Sequence, residues 1–520
     1  MENRLRFPSL IVFISNTCIM VLELVAGRIV APYIGVSLYT WTSIIGVILA
    51  GISIGNYWGG RLADRYASRR LLGIIFIAAG LLSITAILIL DSISRRGIPV
   101  AFLQLPLILR IVFIITAVFF LPSALLGMIS PLVVKLALND LERTGETIGK
   151  IYASSAFGSI IGTFATGFFL ISWLGTRAIV VGLALILAVV GVIIGDFFKT
   201  KWLNLLLSLF ILSTAFLPFT QRLITNGPCL VETNYFCIKI YDQVWEDGRT
   251  YKAMALDRLV HSLVDVENPD RLEYGYERIY PEILEYLVDL KGTDLRVLVI
   301  GGGGYSLPRY IETVYPQMSV DVVEIDPGVT QAAHDFLGLP AETKIRTFNE
   351  DGRQFLVGLS PTEKYDLILL DAVNDLSVPY HLTTLEFDQL LANHLFEDGI
   401  LVTNLIDGYR RLFAAAYLRT IQRVFPHTAL LANTADWQTS IRTTYQVIAS
   451  HQPIDWEKLK TYDGGNGRYD IQISFISEKD MQQILAEDNP EMILTDDYVP
   501  VDNLLAPVFN DTEQLSMTQE

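Results

Sequence analysis

Four points along the second half of the chain carry glycine or a carboxylate directly after a short apolar run. Gly301–Gly304 follow "RVLVI", Glu324 closes "VDVVE" with Asp326 close behind, Asp351 stands in "NEDGRQFL", and Asp371 closes "YDLILLD". Glycines let a ligand approach the backbone, and the helix-compatible segment after them offers its N-terminus. An acid about twenty residues beyond such a loop is placed to accept hydrogen bonds from ribose hydroxyls. The dinucleotide fingerprint fits poorly, because Leu307 stands where its last glycine would be. An adenosyl group without pyrophosphate is therefore the expected ligand.

These residues need a scaffold that brings strand ends together. From Asp294 onward, short apolar runs alternate with helical stretches: Leu295–Ile300, Val320–Glu324, Lys344–Phe348, Asp366–Asp371, Ile400–Asn404, Ala429–Ala432 and Tyr445–Ala449. That alternation predicts a parallel, doubly wound α/β Rossmann-like domain with its ligand at the carboxyl ends of the strands. Upstream, β-prone runs flank Glu246-Asp247-Gly248-Arg249, a hairpin signal that predicts a small β unit over about 228–265.

The first two hundred residues are a different material. Residues 1–218 carry 16 Lys+Arg against 8 Asp+Glu, whereas residues 219–520 carry 23 against 47. The apolar half predicts helical membrane spans near 8–27, 40–60, 71–90, 108–130, 151–173, 177–196 and 202–218. Gly51, Gly55 and Gly59, and again Gly158 and Gly162, recur every four residues and predict close helix packing. Glu23 and Arg28 near the end of the first span read as an interfacial ion pair or a functional site. The arginines of "RLADRYASRR" mark a cytoplasmic loop, and an odd number of spans would then carry the acidic half across the membrane. The side on which that half lies stays open at this point. So does a bridge between Cys229 and Cys237, two of three cysteines in all.

A net charge of −24 on the second half argues against a nucleic-acid partner. It is compatible with a cationic substrate. The six histidines are scattered, and no Cys/His cluster has metal-ligand spacing.

The second half, about 228–505, resembles the spermidine synthase (polyamine aminopropyltransferase) family. The family's "GGGDG" looks like Gly301–Tyr305, its "EID" is Glu324-Ile325-Asp326, and its "gDgr" is Asp351-Gly352-Arg353. "YDLILLDAVND" resembles its fourth-strand motif, and "LDRLVH…LEYGYER" resembles an upstream motif that supplies Asp257, His261 and Tyr276. The joined arrangement is similar to the multi-pass membrane spermidine-synthase-like proteins of bacteria, which share a "SVPYHLTTLEF"-like stretch.

The resemblance implies a class I methyltransferase-like fold and an aminopropyl transfer from decarboxylated S-adenosylmethionine to a small amine, in polyamine biosynthesis. It implies that Gly301, Gly302, Gly303, Glu324, Asp326, Asp351, Gly352 and His261 hold the donor. Asp371 would be the base, and Tyr276, Asp375, His381, Asp496 and Asp497 would face the acceptor. The implied setting is the cell membrane, with the lipid bilayer as partner, and a homodimer is compatible with it. The implied domains are 1–218 in the membrane, 219–290 a small β unit, 291–505 catalytic and 506–520 a tail.

Departures from the pattern keep other readings open. Gly304 replaces the aspartate that contacts amine groups in this family, His261 replaces a glutamine, and Asn374 replaces a second aspartate, with Asp375 one position late. A methyltransferase using S-adenosylmethionine itself is one alternative. A nucleotide or polyamine sensor coupled to a membrane carrier is another, since "GGRLADR" resembles a short loop of major-facilitator transporters.

Overall fold

A computed structural model describes residues 5, 7–96, 105–138, 144–197, 221–244, 248–373, 378–462, 475–486 and 491–510. The chain divides into two compact units, Met1–Asn234 and Tyr235–Glu520.

Among the described residues of the first unit, six helices are long and apolar enough to cross a bilayer: α1 (Pro8–Ile34), α2 (Leu38–Tyr66), α3 (Arg69–Arg96), α4 (Leu107–Ala137), α5 (Thr144–Leu174) and α6 (Thr176–Gly195). They coincide with the first six expected spans, and the seventh, near 202–218, lies outside the described residues. The glycine stripes are where helices touch. A Cβ on Gly55 would stand 2.0 Å from the Ala124 carbonyl oxygen of α4, and one on Gly158 would stand 2.3 Å from that of Phe13 in α1. Thr17 of α1 uses the second approach, donating to the Gly158 carbonyl at 3.0 Å. Arg28 gives its guanidinium to the Thr233 carbonyl at 2.6 Å. A buried ion pair joins Arg177 to Asp91, and the same guanidinium bonds Tyr33 Oη at 3.0 Å and the Leu223 carbonyl at 3.0 Å.

The α2–α4 contact has a direct test. Gly55→Val places two methyl groups where backbone already lies, an overpacking that costs about 1–3 kcal/mol. The expected outcome is a thermal midpoint several degrees lower for detergent-solubilised protein. Gly60→Val, whose Cβ would meet nothing within 4 Å, is expected to leave it unchanged.

The second unit begins with antiparallel strands β1 (Cys237–Val244), β2 (Thr250–Leu256) and β3 (Leu259–Val264), the expected β unit. Cys229 and Cys237 are disulfide-bonded, and Cys18 is a buried free thiol. A seven-stranded sheet follows: β4 (Arg296–Ile300), β5 (Ser319–Val323), β6 (Arg346–Phe348), β7 (Tyr365–Leu370), β8 (Leu395–Asp407), β9 (His427–Ala432) and β10 (Thr443–Ser450). Its spatial order is β9-β10-β8-β7-β4-β5-β6, a doubly wound, class I methyltransferase-like arrangement.

All seven expected strands are present, but the sheet is mixed. β10 runs antiparallel to both β8 and β9, because only ten residues separate β9 from β10 and no helix lies among them to return the chain. Within each strand, alternate residues serve opposite faces. Val297, Val299, Val322, Leu367 and Leu369 pack against α7 (Tyr280–Lys291), α8 (Ser306–Val314) and α9 (Pro327–Phe336). Leu298, Ile300, Ile368 and Leu370 pack against α10 (Gly352–Gly358), α11 (Leu385–Asn393) and α12 (Leu412–Ile421). Burial on both faces is why these strands read as continuous apolar runs rather than as alternation.

Candidate active site

Strand order reverses between β4 and β7, and ligands in such sheets sit at that crevice. The residues that leave these two strands are Gly301 and Asp371. They lie against each other: the Asp371 N–H donates to the Ile300 carbonyl at 2.8 Å, and a Cβ on Gly301 would stand 2.3 Å from the Asp371 carbonyl oxygen. Gly301 also has φ +104°, a left-handed conformation that side chains oppose. Glycine is needed here for two independent reasons.

The Asp371 carboxylate is half-buried and held at both oxygens. Asn404, on β8 beside it, donates from Nδ2 to Oδ1 at 2.6 Å, and Tyr276 donates from its hydroxyl to Oδ2 at 2.8 Å. Burial pushes its pKa up to about 6, while the Asn404 and Tyr276 hydrogen bonds pull it down. Such a group is largely ionised at neutral pH yet basic enough to take a proton from an amine.

The glycine loop keeps its donors occupied. Gly302 and Gly303 give their N–H groups to Glu324 Oε2 at 2.8 and 3.3 Å, and Gly304 gives its own to Ser262 Oγ at 2.7 Å. All three amides are thus engaged within the protein. Glu324 Oε1 accepts from the Asp326 N–H at 2.9 Å. Burial raises the Glu324 pKa above the usual carboxylate value, against the three backbone hydrogen bonds that lower it. Oε2 is filled by its two N–H donors, whereas Oε1 accepts only one and keeps lone-pair capacity for a further donor such as a hydroxyl.

A second polar group gathers after β6. Asp351 caps α10, accepting from the Arg353 and Gln354 N–H groups at 3.0 Å each, and its other oxygen meets His381 Nε2 at 2.7 Å. Arg353 reaches the His381 carbonyl at 3.1 Å and pairs with Asp496 through contacts of 2.7 and 2.5 Å. Its guanidinium holds the Asp496 carboxyl below the usual range. Asp351, His381 and Asp496, expected on donor and acceptor sides respectively, are thus parts of one interlocked cluster. Close by, a Cβ on Gly352 would stand 2.6 Å from Ile300 Cγ2, so this helix start is pressed onto the end of β4.

The remaining expected residues are placed as follows. Asp326 caps α9, accepting from the Gly328 N–H at 2.8 Å. His261 lies on β3 with Nε2 inaccessible and without a hydrogen-bond partner among the described residues, and burial first, then Arg442, lowers its pKa to about 4. Its neighbour Ser262 is the residue of that strand that bonds the loop. Asp497 is exposed, and Asp375 lies outside the described residues.

Sequence reasoning missed Asn404, Ser262 and Glu277. Asn404 lies within β8, three residues before its end, and its uncharged amide closes the expected run Ile400–Asn404 without an acid to mark it. Glu277 follows Tyr276 directly and is buried, with Oε1 accepting from Ser306 Oγ at 2.5 Å.

A family model described as the spermine/spermidine synthase domain matches residues 277–434. The chain is 40% identical over 111 residues to a polyamine aminopropyltransferase of Vibrio vulnificus, covering 21% of this chain and 37% of that protein. It is 32% identical over 108 residues to a probable polyamine aminopropyl transferase of Bifidobacterium longum, covering 21% and 23%. Against an eEF1A lysine and N-terminal methyltransferase of Mus musculus it is 26% identical over 149 residues, covering 25% and 21%. The chain therefore spans between 21% and 37% of the length of these three relatives. Residues 277–434, which carry the glycine loop, Glu324, Asp371 and Asn404, are thus the part of the chain that matches the spermine/spermidine synthase domain.

Proposed function

We propose that this protein is a membrane-anchored aminopropyltransferase. Decarboxylated S-adenosylmethionine is the donor and a small amine the acceptor. The acceptor nitrogen attacks the carbon attached to the sulfonium, the carbon–sulfur bond breaks, and its electron pair stays on sulfur as neutral methylthioadenosine. The proton lost by the amine passes to Asp371. The observation that carries this reading is the Asp371 carboxylate, half-buried at the switch point beside Gly301 and held by Tyr276 and Asn404. An ammonium is no nucleophile until deprotonated, and a carboxylate of pKa about 6 both attracts it and accepts its proton. Orientation against the sulfonium supplies much of the remaining acceleration.

In this reading Glu324 receives the ribose hydroxyls. The Asp351 cluster, with His381 and Asp496, closes the adenine side, and the six apolar helices anchor the protein in a cell membrane. Gly304 favours a second reading, a methyltransferase using S-adenosylmethionine. It presents no carboxylate toward an amine tail, and a Cβ there would stand 2.7 Å from Ser262 Cβ.

The test is an assay of the detergent-solubilised full-length protein with each donor against a panel of mono-, di- and polyamines. Methylthioadenosine formed from the decarboxylated donor is the expected result. No methylthioadenosine with any amine, together with tighter binding of S-adenosylmethionine, would overturn the proposal in favour of methyl transfer.

A further inference from the structure

Resting on that reading, we infer that Glu277 is a second carboxylate subsite, which takes a primary alkylammonium distinct from the nitrogen that reacts at Asp371. Glu277 is 5% exposed, and its Oε2 is sealed from solvent without a hydrogen-bond partner among the described residues. Its Oε1 is fixed by Ser306 Oγ at 2.5 Å. Ser306 opens α8 directly after the glycine loop, so Glu277 is tied to the loop exit. Tyr276, the preceding residue, donates to Asp371 at 2.8 Å. Glu277 is therefore linked to the helix that follows the donor loop and, through its neighbour Tyr276, to the base, in a chain whose loop has Gly304 where the resemblance places an aspartate.

The groups that bear on Glu277 charge leave it short of a cation. Asp371 opposes its ionisation, and Tyr274, Tyr276 and Tyr280 around it are neutral phenols whose own pKa values its charge raises. Arg278 favours ionisation, but it is directed to Glu273, through that residue's carbonyl at 2.9 Å and Oε2 at 3.3 Å. Burial first, and then Asp371, push the Glu277 pKa up to about 8 against the Ser306 hydrogen bond and Arg278. A buried acid with one unpartnered oxygen and no dedicated counter-ion is suited to a ligand that brings the positive charge. The amine tail of the sulfonium donor and the far end of a diamine have the same chemistry, and its place at the loop exit favours the donor tail.

The experiment uses full-length protein and two sulfonium nucleosides, the decarboxylated donor and its analogue with a propyl group in place of aminopropyl. Wild-type protein is expected to prefer the amine-bearing nucleoside by about tenfold or more, consistent with a charge-assisted hydrogen bond. Glu277→Gln, which retains an acceptor for Ser306, is expected to lose that preference while binding the propyl analogue as before. Calorimetry of the wild type in buffers of different ionisation enthalpy gives an independent readout. At pH 7 the ammonium converts the acid to carboxylate, so the amine-bearing nucleoside is expected to release more protons than the propyl analogue. Steady-state KM values for a monoamine and a diamine form the second arm, and a loss confined to the diamine would assign the subsite to the acceptor end. Equal nucleoside preference, proton release and KM values in wild type and Glu277→Gln would overturn the subsite and leave the aminopropyl reading intact. Wild-type protein that binds neither nucleoside would overturn both.

Discussion

Asp371→Asn is expected to lower kcat by about 10²–10⁴-fold, the span that a positioned general base contributes, while the affinity for the donor nucleoside stays near the wild-type value. The substitution is close to isosteric, and the Asn404 and Tyr276 side chains that now bond the carboxylate can turn toward an amide oxygen. What disappears is the proton acceptor. The pH profile carries a further signature. The ionised form is the active base, so kcat/KM should rise with pH through a limb near 6, the value set by burial against two donated hydrogen bonds. Tyr276→Phe removes one of those donors and should displace the limb upward, because the charged form loses support. In Asp371→Asn the limb should vanish. Stopped assays of methylthioadenosine release across pH 5–9, beside equilibrium nucleoside binding, measure all three. Wild-type turnover in Asp371→Asn would remove this residue from the role of base.

Stability should respond in the opposite sense. Glu277 and Asp371 both have folded-state pKa values above their unfolded ones, about 8 and about 6. Their contribution is therefore fully present below about pH 4 and is lost as pH rises through 6 and then 8. The ligand-free protein and the reaction consequently favour different ends of the same range.

Much of this site was legible in the sequence because its residues close strands. Burial on both faces makes a strand a continuous apolar run, so the first glycine or acid after it is conspicuous, and Gly301, Glu324 and Asp371 were found that way. Direction was not legible: β10 is as apolar as its neighbours, and only the short β9–β10 connection shows that it runs backwards. Side-chain partners were less legible still. Asp351, His381 and Asp496 are 30 and 145 residues apart from first to second and first to third, yet Arg353 and one imidazole tie them together. Nothing in the sequence singled out Glu277, and it is a candidate only because of Ser306 and the unpartnered Oε2 around it. In the apolar half, glycine spacing predicted that α2 and α5 pack closely on a neighbour but not that the neighbours are α4 and α1, and the Arg177–Asp91 pair joins residues 86 positions apart and leaves no periodic trace.

Glu324→Gln is expected to weaken donor binding by about 30-fold or more, and the reason lies in the loop as much as in the ligand. One carboxylate accepts three backbone N–H groups, from Gly302, Gly303 and Asp326. An amide keeps one acceptor oxygen and turns an NH₂ group toward the remaining donors, so at least one buried N–H loses its partner, at about 1–3 kcal/mol. The glycine loop is thereby loosened where it must meet the adenosyl group. The same change removes an oxygen that would receive the ribose diol. Comparing the ribonucleoside with its 2′-deoxy analogue separates these two effects. If Glu324 holds the diol, wild-type protein should favour the ribonucleoside by about tenfold, as one charge-assisted hydrogen bond would give, and Glu324→Gln should lose that preference. If Glu324 serves only the loop, both nucleosides should weaken equally and the preference should persist. That second outcome would leave the carboxylate as a purely internal brace, with the ribose bound elsewhere on the rim.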